Sequence, residues 1–325
     1  MLADPPCPAC NERSWETIGE QVFERDATPA NAYLRLRLRV LFELWAPGGA
    51  SFRARFVLCR ACGMVIYTPR ATAAEIDAKY RMIADEQRAA GVATPVRTTI
   101  SALDEERSRE LHAALAPHLK GPGRLLDFGG GNGALMSRFA AAGFECGVVD
   151  YTVATVPEVA RLGDTLDDLP ADARFELVFC SHVFEHVAEP VDIAARLAAR
   201  LSPAGLLFVE VPLEILGGPP TMREPVTHVS FFCGSSLATT LRRAGLEIVD
   251  CRTEACLFAS GAYRYGVRAV ARKSAAPTQL ALPGAGEARR LLGSGHLARA
   301  SMAAANPRVL LNPMRSLKKR LRARP

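Results

Sequence analysis

The sequence predicts an α/β protein: a doubly wound, mostly parallel, Rossmann-like sheet preceded by a small cysteine-knuckle ribbon with a β-hairpin. Three observations predict it. From residue 122 onward, short apolar runs alternate with helical spacings, the pattern of a parallel sheet with helices on both faces. The stretch "LLDFGGGNGAL", residues 125–135, sets a glycine-rich turn directly after one such run, where sheets of this kind bind ligands. Two C-x-x-C pairs, Cys7 with Cys10 and Cys59 with Cys62, lie upstream.

The elements follow in order. In residues 1–70, two knuckles supply the four thiolates of a tetrahedral, structural zinc site, with Gly63 after the second. Between them "YLRLRLRVLFELW" alternates Leu34, Leu36, Leu38 and Val40 with Arg35, Arg37 and Arg39. That period predicts a strand, with "APGGA" as the turn and "SFRARFVLC" as the returning strand. Residues 71–121 read as a helical linker, with Thr72 and Glu75 spaced as a capping pair. Residues 122–272 form the main domain. Its strands are "GRLLDF", "ECGVVD", "FELVFCSH", "LLFVEVP", "LEIVDC" and "AYRYGVRAVAR". Its helices are "ALMSRFAAAGF", "PVDIAARLAARL" with Pro190 at the start and Gly205 past the end, and "SSLATTLRRAG". Residues 273–325 are read as a basic, partly disordered tail.

Charge and cysteine usage narrow the function. The chain of 325 residues carries a net charge of +6, but residues 272–325 alone carry nine Arg, three Lys and one Glu, net +11, which leaves −5 for the rest. An acidic body argues against a nucleic-acid substrate, and the tail is the part that would touch an anionic membrane surface or an acidic partner. Neither a leader nor an apolar run of about 18 residues is seen, so a cytoplasmic location is expected. Of the nine cysteines, the five outside the knuckles sit among apolar residues and read as small buried hydrophobes.

The glycine turn fits two cofactors. Gly129, Gly131 and Ala134 satisfy a dinucleotide fingerprint, whereas Asp127, Gly129, Gly131 and Gly133 satisfy the D-x-G-x-G-x-G pattern of S-adenosylmethionine sites. Asp127 separates them: a carboxylate at the turn disfavours a pyrophosphate and favours a donor that carries an ammonium and a sulfonium. Asp150, at the end of the next strand, suits ribose hydroxyls in either case.

With "LLDFGGGNG", "VVD", "FELVFCSHVFEHVAEP", "LSPAGLLFVEVP" and "THVSFFCGSSLATTLRRAGLEIV", residues 122–272 resemble a class I S-adenosylmethionine-dependent methyltransferase. Residues 7–80 resemble the zinc-binding domain that precedes the catalytic domain in bacterial sugar C-methyltransferases. The resemblance implies that Asp127, Gly129, Gly131 and Gly133 meet the methionine end of the cofactor, Asp150 the ribose, Asp164 the adenine amino group, and Ser181 the cleft. The segment between Asp150 and Phe175 is short for the family, so a loop is expected to replace one helix.

Methyl transfer needs a positioned acceptor and, for a hydroxyl or α-carbon, removal of a proton. His182, His186 and His228 lie near strand ends and are the candidate bases, with Glu185 beside them. His228 matches the family's proposed base, although Thr227 precedes it and the family's tyrosine is missing. Tyr80 resembles an active-site tyrosine of the linker. "HVFEH" also matches an inverted zinc-peptidase motif, which is set aside because it follows a core strand directly. The expected function is methyl transfer to a small molecule, a nucleotide-linked sugar or a glycan, on carbon or oxygen. A zinc-ribbon RNA methyltransferase, a NAD-dependent oxidoreductase and a non-catalytic scaffold stay open.

Overall fold

The computed structural model describes residues 5–89, 98–151, 154–275 and 281–294. Two sheets organise it. The larger has the order β10-β11-β8-β7-β4-β5-β6. Its parallel part comprises β4 (Arg124–Phe128), β5 (Glu145–Val149), β6 (Val159–Gly163), β7 (Phe175–Ser181) and β8 (Leu201–Pro212). β11 (Tyr263–Lys273) runs antiparallel between β8 and β10 (Leu246–Leu257). Leu125, Leu126, Leu177, Val178, Phe179, Leu207 and Val209 are wholly buried, as near-continuous apolar strands covered on both faces must be. Because β4 has β5 on one side and β7 on the other, the chain reverses its winding there, and a crevice opens at the carboxyl ends of β4 and β7.

The smaller sheet joins the amino-terminal unit to the main domain. Its order is β1 (Trp15–Glu24), β2 (Ser51–Cys59), β3 (Val65–Thr68) and β9 (Ser230–Phe231), all antiparallel. Since β9 belongs to the main domain, the ribbon is not a free appendage. Helix α2 (Ala73–Ala89) opens with the expected cap: Thr72 N–H and Oγ1 donate to Glu75 Oε2 at 2.7 and 2.8 Å, and Glu75 N–H donates back at 3.2 Å. Helix α3 (Ala102–Leu115) follows. The main domain adds helices α4 (Ser137–Ala141), α5 (Pro190–Ala199) and α6 (Gly234–Arg243).

Three expectations are corrected. The segment from Leu34 to Trp45 is not a strand but helix α1 (Ala32–Val40), continued by a π-helical turn over Leu41–Trp45. Asn31 caps it by accepting from the Tyr33 and Leu34 amides, the Arg37 guanidinium stacks on Tyr33, and Arg39 pairs with Glu43 at 3.0 Å. Leu and Arg are good helix formers, and these i,i+4 contacts exist only in a helix. The hairpin is instead β1 with β2, and the helix forms its connection. Residues 286–293, assigned to the tail, form helix α7 (Gly286–Gly293), whose Glu287 accepts from the Gly234 and Ser235 amides at the start of α6. Gly205 lies inside β8, so α5 ends earlier, at Ala199. Most of the basic tail, residues 295–325, lies outside the described residues.

Candidate active site

The crevice at the ends of β4, β7 and β8 holds a cleft of about 550 Å³. Its floor is the glycine turn. Gly129, Gly131 and Gly133 have φ of 72°, 59° and 74°, a region that side chains strongly disfavour. A Cβ at Gly129 would stand 2.5 Å from Val183, and one at Gly130 would collide with the Asp127 carboxylate. Asp127 is 1% exposed, and its Oδ2 has no hydrogen-bond partner. Burial, followed by the charge of Asp150, pushes its pKa up to about 8, while Arg107 pulls the other way. Asp150 accepts from the Gly131 amide at 2.9 Å, which fixes that carboxylate against the turn.

Beyond β7 the chain turns through His182, which has a left-handed φ of 58°. Its Nδ1 lies 3.2 Å from Glu185 Oε1 and its Nε2 3.3 Å from Glu210 Oε1. Burial alone would lower its pKa, but the hydrogen bonds it donates to Glu185 and Glu210, with their charges, outweigh it and raise the value to about 9. His182 is therefore a cation at neutral pH that ties two buried carboxylates together. Glu210 also takes a 2.5 Å bond from Arg268, and Ser181 Oγ donates to it at 2.9 Å. Against burial, Arg268 and His182 hold Glu210 well below the ordinary carboxylate range.

The 3-10 turn Phe184–His186 puts Glu185 and His186 on the cleft wall. His186 Nδ1 is bonded to Thr227 O at 2.7 Å, and burial lowers its pKa to about 4, so the ring is neutral. Its ring meets that of His228 edge-on, with centroids 4.8 Å apart. His228 Nδ1 is 2.8 Å from Glu214 Oε2; burial lowers its pKa, but this carboxylate more than compensates and raises it.

The structure thus brings Asp127, Gly129, Gly131, Ser181, His182, Glu185, His186 and His228 to one cleft. Gly133 shapes the turn, and Asp150 sits against it. Four expected residues, Gly133, Asp150, Asp164 and Tyr80, are not among those lining the cleft. Asp164 pairs with Arg161 at the surface, and Tyr80 is 42% exposed with Lys79 over its ring, although the charges of Glu185 and Asp150 reach its phenol. Among the described residues between Asp150 and β6 there is no helix, as expected for the shortened segment. Sequence reasoning missed Glu214, Arg107, Phe258 and Arg264, which also line the cleft. Glu214 follows the end of β8 by two residues, so its position was a usable signal. The others arrive from α3, the β10–β11 turn and the start of β11 through long-range packing. In the ribbon, Cys7 Sγ lies 3.6 Å from Cys62 Sγ, and Cys10 Sγ lies 3.5 Å from Cys59 Sγ, all four residues buried.

Sheet order, turn and carboxylates define a cofactor site of the S-adenosylmethionine type in a methyltransferase fold. Residues 101–250 match the family model described as "Methyltransferase domain". Over those residues the chain is similar to S-adenosylmethionine-dependent methyltransferases, and the match supports an enzyme of that class. It is 29% identical to the ubiquinone biosynthesis O-methyltransferase of Xanthomonas axonopodis pv. citri, over 46% of this chain and 72% of that one. To C-methyltransferase NovU of Streptomyces niveus it is 31% identical, over 40% of this chain and 34% of that one. The structure of 1,6-didemethyltoxoflavin-N1-methyltransferase from Burkholderia thailandensis aligns with 65% of this chain and 96% of its own, at 22% identity and a TM-score of 0.46. Among the described residues no helix is long and apolar enough to cross a membrane.

Proposed function

We propose that this enzyme moves the methyl group of S-adenosylmethionine to an oxygen or an activated carbon of a small acceptor, with sugars and glycans as the favoured class. One observation carries the reading: the orphaned Asp127 carboxylate and the His228–Glu214 pair line the same cleft. The cofactor fits the residues present. Asp127 Oδ2 lacks the donor that an ammonium would supply, and the side-chain-free turn lets the backbone pass close to it. When bound, the cofactor supplies the methyl group on a sulfonium. Asp127 would hold its amino group, Asp150 its ribose, and Gly129, Gly131 and Gly133 would line its path.

The acceptor's proton is handled at the cluster of Glu185, His186, His228 and Glu214. His228 is the residue we assign as base, because Glu214 takes Nδ1–H and leaves Nε2 for the acceptor. His182, held as a cation between two carboxylates, positions Glu185. The relatives named as O- and C-methyltransferases support an acceptor of small size. The test is incubation with methyl-labelled cofactor and a fractionated small-molecule extract, followed by mass spectrometry. A labelled small molecule is expected; label found only in RNA or protein would overturn the reading.

The four ribbon cysteines are proposed to hold one structural zinc ion. Sulfurs around a tetrahedral ion at about 2.3 Å stand roughly 3.8 Å apart, close to the 3.5 and 3.6 Å observed. Four thiolates leave no open position, so this ion takes no part in the chemistry. The 1–70, 71–121, 122–272 and 273–325 division is retained as a proposal, with α7 packed back onto the body.

A further inference from the structure

We infer that Glu185, His186 and His228 form a second metal site, one that takes a divalent first-row cation at the cleft wall and leaves positions open for an acceptor oxygen. One donor atom from each residue lies within 4.8 Å of the others. His186 Nε2 is 3.7 Å from Glu185 Oε1. Donors on one ion at about 2.0–2.2 Å stand roughly 3–3.5 Å apart, so closing on an ion requires shifts of about 1 Å.

Protonation makes the case stronger than proximity. Thr227 O can only accept, so His186 Nδ1 carries the hydrogen and Nε2 is left with a lone pair. Glu214 likewise accepts from His228 Nδ1–H at 2.8 Å, so Nε2 is the nitrogen left for an ion, which displaces the proton that Glu214 favours on the ring. Glu185 is 1% exposed; its Oε1 serves His182, and its Oε2 has no partner at all. The His186 lone pair, the His228 ring and the buried Glu185 carboxylate, one of whose oxygens has no partner, thus meet at one place on the cleft wall. A carboxylate oxygen buried without a donor is costly, and a cation held with the two imidazoles would satisfy it. A carbonyl and a carboxylate bound to the far nitrogens are the outer partners that orient metal-ligating histidines. Two histidines and one carboxylate with open positions suit Zn2+, Mn2+, Co2+ or Fe2+ over Ca2+.

The inference rests on the methyl-transfer reading for its role and not for its binding. With the ion present, an acceptor hydroxyl bound to it loses its proton to solvent. The oxygen lone pair then forms the new C–O bond while the C–S bond of the cofactor breaks, its electron pair staying on sulfur. The ion takes over from His228 the task of lowering the hydroxyl's pKa, and the acceptor class narrows to hydroxyls.

The full chain, with its ribbon metal in place, would be titrated with Mn2+ followed by electron paramagnetic resonance. Co2+ absorption would run in parallel, where thiolate charge-transfer bands report the ribbon and weaker bands report the histidine site. One Mn2+ per chain in the micromolar range is expected. His186→Ala and His228→Ala should each weaken it and Glu214→Gln should cost about 10–100-fold, with S-adenosylhomocysteine affinity near wild type; Glu185→Gln should weaken it too, and it also removes the buried partner of His182. Should the buried Glu185→Gln fail to fold, the partly exposed Glu214→Gln decides. No Mn2+ bound by wild type, or unchanged binding in His186→Ala and Glu214→Gln, would overturn the site. Methyl transfer that survives chelation while Mn2+ fails to bind would leave His228 as the base and remove the metal alone; failure of the methyl-transfer reading would show instead as no S-adenosylhomocysteine binding.

Discussion

Replacing Asp127 with Asn should stabilise the empty enzyme and cripple its cofactor site. The Asp127 pKa of about 8 lies far above the ordinary carboxylate value of 3.8. A folded-state pKa raised above the unfolded value means that the folded chain binds a proton the unfolded chain has released. Stability of the empty protein therefore falls as pH rises from about 4 to about 8 and is flat above that. At pH 7 the cost approaches 3 units, at most about 4 kcal/mol. Asn carries no such charge but still leaves polar atoms buried, so a gain of about 2 kcal/mol is expected, or roughly 3 °C in Tm for a chain of this length. The same proton gives a sharper test. At pH 7 an empty site of pKa about 8 is about nine-tenths protonated, and binding an ammonium against Asp127 must expel that proton. Calorimetry of S-adenosylhomocysteine binding at pH 7, in two buffers of different ionisation enthalpy, should show about 0.9 proton released per cofactor. Asp127→Asn should show none and bind at least tenfold more weakly, the loss of about one charge-assisted hydrogen bond. Binding enthalpies that do not change with buffer in the wild type would refute the claim that Asp127 receives the cofactor's positive group.

Three further outcomes are expected. His228→Ala should reduce turnover by about 100-fold or more while cofactor affinity holds, and Glu214→Gln should reproduce part of that loss; full turnover in labelled-methyl assays of either would remove the pair from the chemistry. Cys59→Ser should lower the metal content by one sulfur-bound ion and depress the thermal midpoint, as read by elemental analysis and calorimetry. Arg268→Ala leaves Glu210 buried without its 2.5 Å partner, a loss of about 3–5 kcal/mol by denaturant unfolding; a change below about 1 kcal/mol would mean that His182 alone neutralises Glu210.

What the sequence revealed, and what it concealed, follows from the range of the interactions involved. The turn at Gly129–Gly133 was legible because its chemistry is local: the strand, the glycines and Asp127 are consecutive. Parallel strands such as Phe175–Ser181 were legible because burial on both faces leaves them nearly all apolar. Residues 34–45 misled because Leu and Arg alternate there, yet the buried set is Leu38, Val40, Leu41 and Phe42, a helical stripe. β1 was overlooked because it is an edge strand, "WETIGEQVFE", with most positions half-buried or exposed. Glu214 could have been read from its place just past β8, but the cleft-lining Arg107 and Arg264 depend on how helix α3 and strand β11 pack against distant elements, which no local pattern encodes.

Packing between distant elements also explains why a ribbon accompanies the catalytic domain. The stretch from Met222 to Val229, which carries Glu224, Thr227 and His228, gives its backbone carbonyls to the amino-terminal unit. Gln21 donates to Met222 O at 2.5 Å, Tyr67 to Pro225 O at 2.5 Å, Lys79 to Val226 O at 3.1 Å and Arg70 to Val229 O at 2.5 Å. Arg70 also reaches Ala188 O at 2.7 Å, so one half-buried guanidinium holds the His186 and His228 loops together. The amino-terminal unit and its helix therefore act as a template for the acceptor side of the cleft. Tyr67→Phe isolates this claim because it deletes one donor and little volume. A buried carbonyl without its partner costs about 1–3 kcal/mol, enough to loosen residues 222–229 selectively. Hydrogen exchange of that segment should quicken and kcat should fall, while S-adenosylhomocysteine binding stays as tight as in the wild type. Equal exchange and equal kcat would show that the loop keeps its shape without the ribbon, and the template role would have to be abandoned.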